Sequence, residues 1–140
     1  MSSDETQRSF VLSIDIIVRW GDMDALAHVN NAAYFTYFEQ ARMAWLDKHG
    51  HDYRDTGPIL AATSATFLEP VTYPAHLAIN LYCGVAGRSS LTHYYDVVDR
   101  NSPERVFARG EAVIVWIDQR TGKSTPLPDE LRATAASPPA

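Results

Sequence analysis

Apolar and polar side chains alternate along residues 9–20, and six large hydrophobic residues fall on one face of an extended chain. They are Phe10, Leu12, Ile14, Ile16, Val18 and Trp20. A period of two predicts a half-buried β-strand over this segment. Gly21 is expected to end the strand, and a loop through Asn30 is expected to follow it.

From residue 31 the hydrophobic period becomes helical. The apolar stripe consists of Tyr34, Tyr37, Phe38, Ala41, Ala44 and Trp45. This spacing predicts a helix over residues 31–48, with Asn30 or Asn31 as the N-cap, because a side-chain carbonyl there can accept a backbone N–H. Gly50 is expected to end it. The stripe is wide and aromatic, so we expect other elements to wrap the helix.

Four more strands are predicted, over residues 59–69, 76–86, 90–98 and 105–117. Short connections between the later strands favour an antiparallel arrangement. The expected fold is α+β, with one long helix packed against a twisted antiparallel sheet of five strands or more.

One domain accounts for most of the chain. We expect a flexible N-terminus over residues 1–8, the folded domain over residues 9–118, and a tail over residues 119–140 that is irregular and partly disordered. The tail prediction follows from the prolines that cluster after residue 125.

The composition of the 140-residue chain excludes several classes of function. Its net charge is −5 and its basic residues are scattered, which argues against nucleic acid as the main partner. No apolar run approaches the ~20 residues of a membrane span, and the first residues lack a signal-peptide core, so a cytoplasmic protein is expected. Cys83 is the only cysteine and is expected to be a small buried residue. Residues 49–52 match no common metal-ligand spacing, so no metal site is predicted.

Residues 19–31 hold the candidate chemistry. They join the end of a strand to the start of a helix, with two carboxylates, one imidazole and two amides close together. A carboxylate can activate water as a general base or attack a carbonyl itself. Unpaired N–H groups at a helix N-terminus can stabilise an oxyanion. A folded-back loop could place Asp24 and Asn31 around one carbonyl. Loop carboxylates also commonly bond nearby backbone N–H groups, so a purely structural role stays open for Asp22 and Asp24.

The signature Asp24-x-x-x-His28-Val29-Asn30-Asn31 is followed by Tyr34-Phe35 and Glu39-x-Ala41-Arg42. It resembles the hotdog-fold thioesterases of the 4-hydroxybenzoyl-CoA thioesterase type, especially their acyl-CoA thioesterase branch, and the strand–helix–four-strand order agrees.

The resemblance implies a hotdog fold and hydrolysis of a small or medium acyl-CoA to free acid and CoA, with no cofactor. It also implies that Asp24 is the catalytic carboxylate, as general base or nucleophile. The Asn31 main-chain amide would polarise the thioester.

Other residues in and near the signature have several possible roles, catalytic or structural. His28 could orient the loop, touch substrate, or be a hydrogen-bonded structural histidine. Asp22 is expected to be structural. A second group of hotdog thioesterases places its carboxylate on the central helix, which makes Glu39 the alternative catalyst. We expect Glu39 instead to be structural, at a spacing from which it could pair with Arg42 at i,i+3.

Substrate binding and assembly are predicted partly from the resemblance. Arg88, Ser89 and Ser90, in a turn between strands, are expected to contact the phosphates of CoA. Residues 59–66, including Thr63 and Ser64, are expected to line the acyl pocket because their side chains are mostly small. An exposed sheet edge and an incomplete cleft predict a homodimer or homotetramer with the site between subunits. In one departure from the family, Ala75-His76 stands where a Gly-Asp pair is common.

Two other functions are compatible with a hotdog fold. A hydratase or dehydratase would need histidine-containing motifs that this sequence lacks. A module that only binds acyl-CoA or an acyl-carrier protein would not need a carboxylate beside a thioester, so Asp24 argues against it. Thioester hydrolysis is therefore the favoured prediction.

Overall fold

One five-stranded antiparallel sheet curves around one long helix. The structure is a computed structural model, and it describes residues 7–49 and 53–138. The elements are β1 (Ser9–Ile17), α1 (Asn31–Lys48), β2 (Thr56–Phe67), β3 (His76–Cys83), β4 (Ser90–Asp99), β5 (Val106–Asp118) and α2 (Asp129–Arg132). The strands lie in the order β1-β3-β4-β5-β2. The predicted α+β architecture of one long helix and five strands is confirmed.

Helix α1 begins where the sequence predicts. The Asn30 side chain accepts a hydrogen bond from the Ala32 N–H at 2.9 Å, which makes Asn30 the N-cap. Six residues of its inner stripe are buried, namely Tyr34, Tyr37, Phe38, Ala41, Trp45 and Leu46. Gly50, the predicted end signal, lies outside the described residues. Neither α1 nor any other helix in the described part of the chain is long and apolar enough to cross a membrane.

The concave face of the sheet supplies the other half of the core. Its central strands bury Leu77, Ile79, Leu81, Cys83, Leu91, His93, Tyr95, Val97, Ala108, Ala112, Ile114 and Trp116. Cys83 is therefore the small buried residue that was predicted. Gly110 permits the closest approach of α1, since a Cβ at this position would lie 2.5 Å from a ring carbon of Phe38.

The two outer strands differ from the sequence prediction. The alternation predicts that Trp20 is on the buried face of β1, but β1 ends at Ile17, and Ile17 and Trp20 are 73% and 74% exposed. A register shift near Phe10 and a single turn of 3-10 helix at Trp20–Asp22 break the alternation. Strand β2 pairs only with β5 among the described strands, and most of its side chains are exposed.

The segment after β5 is part of the folded domain, although the sequence predicts that the domain ends at residue 118. Leu127, Leu131 and Ala136 are buried. The Trp45 indole N–H donates to the Thr134 hydroxyl at 3.1 Å, and the Ala136 N–H donates to the Gly84 carbonyl at 3.0 Å. The prediction of partial disorder over residues 119–138 is wrong because these apolar side chains close one end of the core. Of the N-terminal segment predicted to be flexible, only residues 7 and 8 are described.

Candidate active site

A tight hairpin carries Asp24 back toward the start of α1. Met23 and Val29 form an antiparallel bridge. Inside it, the Asp24 N–H donates to the His28 carbonyl at 2.9 Å, and the Ala27 N–H donates to the Asp24 carbonyl at 3.0 Å. Ala27 has φ of 63°, a left-handed conformation that closes the turn. These bonds hold Asp24 and His28 across from each other, immediately before the helix.

Only one of the two oxygens of the Asp24 carboxylate accepts a hydrogen bond from the loop. Its Oδ1 accepts a hydrogen bond from the Leu26 N–H at 2.9 Å, which is the turn role that short loop carboxylates often take. Its Oδ2 has no hydrogen-bond partner within residues 7–49 and 53–138, and the residue is exposed. One oxygen therefore orients the carboxylate, and the other is available for chemistry.

The first main-chain amide of α1 is also uncommitted. The Ala32 N–H donates to the Asn30 side chain at 2.9 Å, and the Ala33 N–H donates to the Asn30 carbonyl at 2.8 Å. The Asn31 N–H donates to no group in the described part of the chain. This donor lies at the positive end of the helix dipole, where it favours a developing negative charge.

Asp24 and Asn31 line the same cleft, which has a volume of about 280 Å³. Its other walls come from Leu26, His28, Val29, Tyr34, Phe67, Leu68, Glu69 and Pro70. Tyr34 and Phe67 meet edge to face, with ring centroids 5.0 Å apart. Burial raises the pKa of the Tyr34 hydroxyl. The cleft therefore combines an apolar floor with a carboxylate and a free backbone donor at its rim.

His28 lines the cleft but does not orient Asp24 by a hydrogen bond. Its ring contacts no hydrogen-bonding partner among the residues described, and the side chain is exposed. The Leu26 N–H orients the carboxylate instead. An orienting or substrate-contacting role for His28 stays a prediction.

Asp22 anchors the neck of the hairpin. Its Oδ2 accepts hydrogen bonds from the Arg19 N–H at 3.0 Å and the Tyr37 hydroxyl at 2.8 Å. Its Oδ1 accepts from the Arg19 guanidinium at 2.9 and 3.1 Å. Burial alone would raise the pKa of Asp22, but these donors outweigh it and lower the pKa. The structural role predicted for Asp22 is confirmed by these contacts.

Thr63 and Ser64 do not line the Asp24 cleft of their own chain. The Thr63 hydroxyl donates to the Glu111 carbonyl at 2.8 Å. Ser64 borders a separate cleft on the outer face of the sheet, beside Arg8 and Tyr94. The β2 residues that do reach the Asp24 cleft come from the end of the strand, where Phe67 is the last residue.

The turn that carries Arg88, Ser89 and Ser90 lies at the opposite end of the sheet. Ser90 pairs with Val115 on β5, whereas Phe67 of the cleft pairs with Ala108 on the same strand. Seven residues of β-strand separate these positions, which corresponds to roughly 23 Å. The Asp24 cleft and the Arg88 turn of one chain are therefore not neighbours.

Glu39 is exposed on α1, and it does not form the ion pair with Arg42 that the i,i+3 spacing would allow. The Arg42 guanidinium donates to the Tyr95 hydroxyl at 3.1 Å instead of pairing with Glu39. Tyr95 in turn lies 3.1 Å from Nδ1 of the buried His93. Arg42 turns toward the sheet because this buried polar pair offers it an acceptor. Glu39 lines none of the clefts described here.

Some residues of the site were not predicted from the sequence. Tyr34 lies one turn after Asn31, so helical spacing could have placed it near the same end of α1. Phe67 and Leu68 reach the cleft through the pairing of β2 with β5, for which the sequence carries no local signal. In the described ranges, no group of three acidic, histidine or cysteine residues could hold a metal ion.

Comparisons with known proteins identify the family and the fold of the chain. The family described as the thioesterase-like superfamily matches residues 18–134. The solved structure of PA2801 from Pseudomonas aeruginosa, a proposed thioesterase, is 38% identical, with a TM-score of 0.85 and coverage of 89% of this chain and 98% of that chain. A proposed acyl-CoA thioesterase from Xanthomonas campestris is 35% identical, with a TM-score of 0.73 and coverage of 83% and 100%.

A sequence relative extends the comparison to Bacillus subtilis. YsmA is 27% identical over 136 residues, which cover 96% of this chain and 91% of YsmA. The hotdog fold and the assignment as a thioester hydrolase are confirmed by the family match and the solved relatives. The chain belongs to the thioesterase-like superfamily.

Proposed function

We propose that this enzyme hydrolyses a small or medium acyl-CoA to the free acid and CoA in the Asp24 cleft. The observation that carries the proposal is that one cleft contains two groups without a hydrogen-bond partner among the described residues. They are the Asp24 Oδ2 and the Asn31 N–H. A thioester carbonyl needs both an attacking oxygen and a donor for its developing oxyanion. The solved relative named as a proposed acyl-CoA thioesterase supports CoA as the carrier.

In the proposed reaction, the thioester oxygen accepts a hydrogen bond from the Asn31 N–H. Asp24 removes a proton from water as the water attacks the carbonyl carbon, or attacks it directly to give an anhydride that water then opens. The carbon–sulfur bond breaks, and the CoA thiolate takes up a proton. A single oxyanion donor lowers the activation barrier of such a reaction by about 3–4 kcal/mol. A general base increases the rate by a factor of about 10²–10⁴. Water is the only co-substrate, and no cofactor is required.

The cleft suits the acyl end of the substrate rather than the whole molecule. Its volume of about 280 Å³ is near the lower limit of sites that enclose drug-sized ligands. Leu26, Val29 and the Tyr34–Phe67 pair supply an apolar surface for a short aliphatic or aromatic group. The pantetheine and nucleotide must therefore lie outside this cleft.

A homodimer that pairs the free edges of β2 would complete the site. Four large apolar residues at this edge, Ile59, Leu60, Phe67 and Leu68, are 40–50% exposed. An exposed apolar edge strand of 12 residues is an aggregation hazard unless a second chain covers it. A two-fold axis requires the same patch on both chains, and antiparallel pairing of two β2 strands meets that requirement.

This pairing also explains how Arg88 could serve the substrate. In one chain, the Arg88 turn and the Asp24 cleft lie at opposite ends of β5. Antiparallel pairing of the β2 edges sets the Arg88 end of each chain beside the Asp24 end of its partner. Arg88 of the partner subunit would then meet the CoA phosphates. The cytoplasmic location expected from the sequence is compatible with an acyl-CoA substrate.

The test is release of free thiol from a panel of acyl-CoAs. Asp24→Asn should lower kcat by about 10²–10⁴, because the amide keeps the shape of the carboxylate but cannot take a proton. Circular dichroism and the thermal midpoint should match the wild type, since the side chain is exposed. Exposed Asp129 on α2, changed to Asn, is the matched control.

Three results would contradict the proposal. Thiol release at the wild-type rate by folded Asp24→Asn would remove Asp24 from the chemistry. Conversion of an enoyl-CoA to a hydroxyacyl-CoA by the wild type, without thiol release, would identify a hydratase. Tight binding of acyl-CoA without turnover of any substrate would identify a binding module.

A further inference from the structure

Asp22 connects the segment after β1, the neck of the hairpin that carries Asp24 (residues 23–29) and helix α1 through its hydrogen bonds. Its carboxylate binds Arg19 and the Tyr37 hydroxyl, and the residue is 8% exposed. Its main-chain carbonyl accepts a hydrogen bond from the Asn30 N–H at 2.9 Å. Asp22 therefore holds the residue immediately before Asn31 and stands two positions before Asp24.

The hairpin bonds alone do not fix these two groups relative to each other. Bonds within residues 23–29 set the shape of the hairpin. The bond from Tyr37 to Asp22 ties the neck of the hairpin to α1 itself, one and a half turns beyond the helix start. A hairpin that pivoted at its neck would keep its internal bonds and still move Asp24 away from the Asn31 N–H.

We infer that Asp22 is a positioning residue that holds Asp24 and the Asn31 amide at the spacing that hydrolysis requires. This inference rests on the proposed function of the Asp24 cleft. Asp22 is not a proton carrier, because both of its oxygens are occupied by donors and it does not line the cleft. Its effect on the reaction passes through Asp24 and Asn30.

Asp22→Asn tests this role with little change in volume. An amide presents one N–H₂ group where the carboxylate had an acceptor, so that group faces either the Arg19 main-chain N–H or the Arg19 guanidinium, and both of these can only donate. The neck should shift, and a misplacement near 1 Å costs about 10²-fold in rate. We expect kcat to fall by about that factor while KM changes by less than about threefold, because the acyl cleft itself is unaltered.

Tyr37→Phe provides a second variant in case Asp22→Asn folds poorly. It removes one donor to Asp22 and keeps the aromatic ring in the core. A smaller fall in kcat is expected, again with KM nearly constant. Both substitutions alter the same contact between residues 22 and 37, so in the double variant the combined loss should be less than the product of the two single losses.

Steady-state kinetics and urea unfolding test the positioning role. They are measured on the wild type, Asp22→Asn, Tyr37→Phe and the double variant, with Asp129→Asn as the matched control. Unchanged kcat in folded Asp22→Asn and Tyr37→Phe would overturn the positioning role, as would losses in kcat that only match the unfolded fraction. Asp24→Asn separates the two proposals. If it is inactive while Asp22→Asn is fully active, only the positioning role fails. If Asp24→Asn is fully active, the proposed function itself fails.

Discussion

The two ends of helix α1 are built in opposite ways. At its start, the Asn31 N–H and one oxygen of Asp24 have no partner in the described structure, and the cleft around them is open. Toward its end, Trp45 is fully buried, and its indole N–H is satisfied by Thr134 of the C-terminal segment. Groups left unsatisfied at an accessible end are available to a substrate. Groups satisfied at the closed end stabilise the fold.

Thr134 shows how completely the closed end is satisfied. Its hydroxyl accepts from Trp45 and donates to the Leu131 carbonyl at 2.6 Å, and its own carbonyl accepts from the Ser9 hydroxyl at 2.9 Å. One threonine thus connects β1, α1 and α2. The open end has a comparable anchor in Asp22, but that anchor stops short of Asp24. The chain fixes the neck of the Asp24 hairpin and leaves one oxygen of Asp24 without a hydrogen-bond partner among the described residues.

The largest expected effect comes from comparing a Leu→Ala substitution at the closed end of α1 with the same substitution at the open end. Leu131 is fully buried and Leu26 is 76% exposed at the cleft. Leu131→Ala should cost about 2–5 kcal/mol of unfolding free energy. Leu26→Ala should cost less than about 0.5 kcal/mol. Urea unfolding measures both, and the kinetics should show the reverse order, with kcat/KM reduced only in Leu26→Ala. Equal stabilities of the two variants would contradict the division between the ends.

A second prediction concerns pH at the buried core near the closed end. Burial, with a smaller contribution from Arg42, lowers the pKa of His93 to about 3. The unfolded chain takes up this proton below about pH 6.5 while the folded chain does not, so stability must fall as the pH drops from there toward 3. Between pH 7 and pH 5 the His93 contribution to that loss is about 2 kcal/mol.

His93→Phe removes this proton uptake and keeps a ring of similar shape. Urea unfolding of both proteins at pH 7 and pH 5 measures the difference within each variant, which cancels any constant change in packing. The variant should lose about 2 kcal/mol less than the wild type over this interval. An identical pH dependence in both proteins would show that His93 does not titrate as its burial requires.

The smallest predicted effect lies in the hairpin that carries Asp24, at Ala27. Its φ of 63° is strained for a residue with a Cβ, and more so for a β-branched one. Ala27→Gly relieves strain but adds backbone entropy to the unfolded state, so stability should change by less than about 0.5 kcal/mol. Ala27→Val should cost about 1–2 kcal/mol and lower kcat. Equal unfolding midpoints for Gly and Val would contradict the left-handed turn.

Much of the open end could be predicted from the sequence because its signals are local. Asn30 is a good N-cap before a helical stripe, so the start of α1 follows from residues 30–48. The closeness of Asp24 and Asn31 follows from the short loop between them. The commitment of Asp24 Oδ1 to Leu26, and the turning of Arg42 toward Tyr95, depend on side-chain geometry that spacing does not fix.

The closed end was missed because its signals are weak and distant. Prolines and alanines dominate the segment after residue 125, and they suggest disorder when considered alone. Leu127 and Leu131, spaced one helical turn apart, were the available hint of burial. The partners of this segment lie far away in the chain, since Thr134 accepts from Trp45 of α1 and the Leu127 N–H donates to the Arg88 carbonyl in the β3–β4 turn. Trp20 was misplaced for a related reason, since strand alternation cannot reveal where a strand stops.

The most direct test of the account is the kcat of Asn31→Pro. Proline at the first helical position removes the N–H and suits the helix backbone, and the extended conformation of Asn30 tolerates a following proline. Asn31→Ala keeps the N–H and serves as the control. We predict that Asn31→Pro folds normally and loses about 10²–10³ in kcat, while Asn31→Ala stays near the wild-type rate. A folded Asn31→Pro enzyme that turns over at the wild-type rate would contradict the central claim.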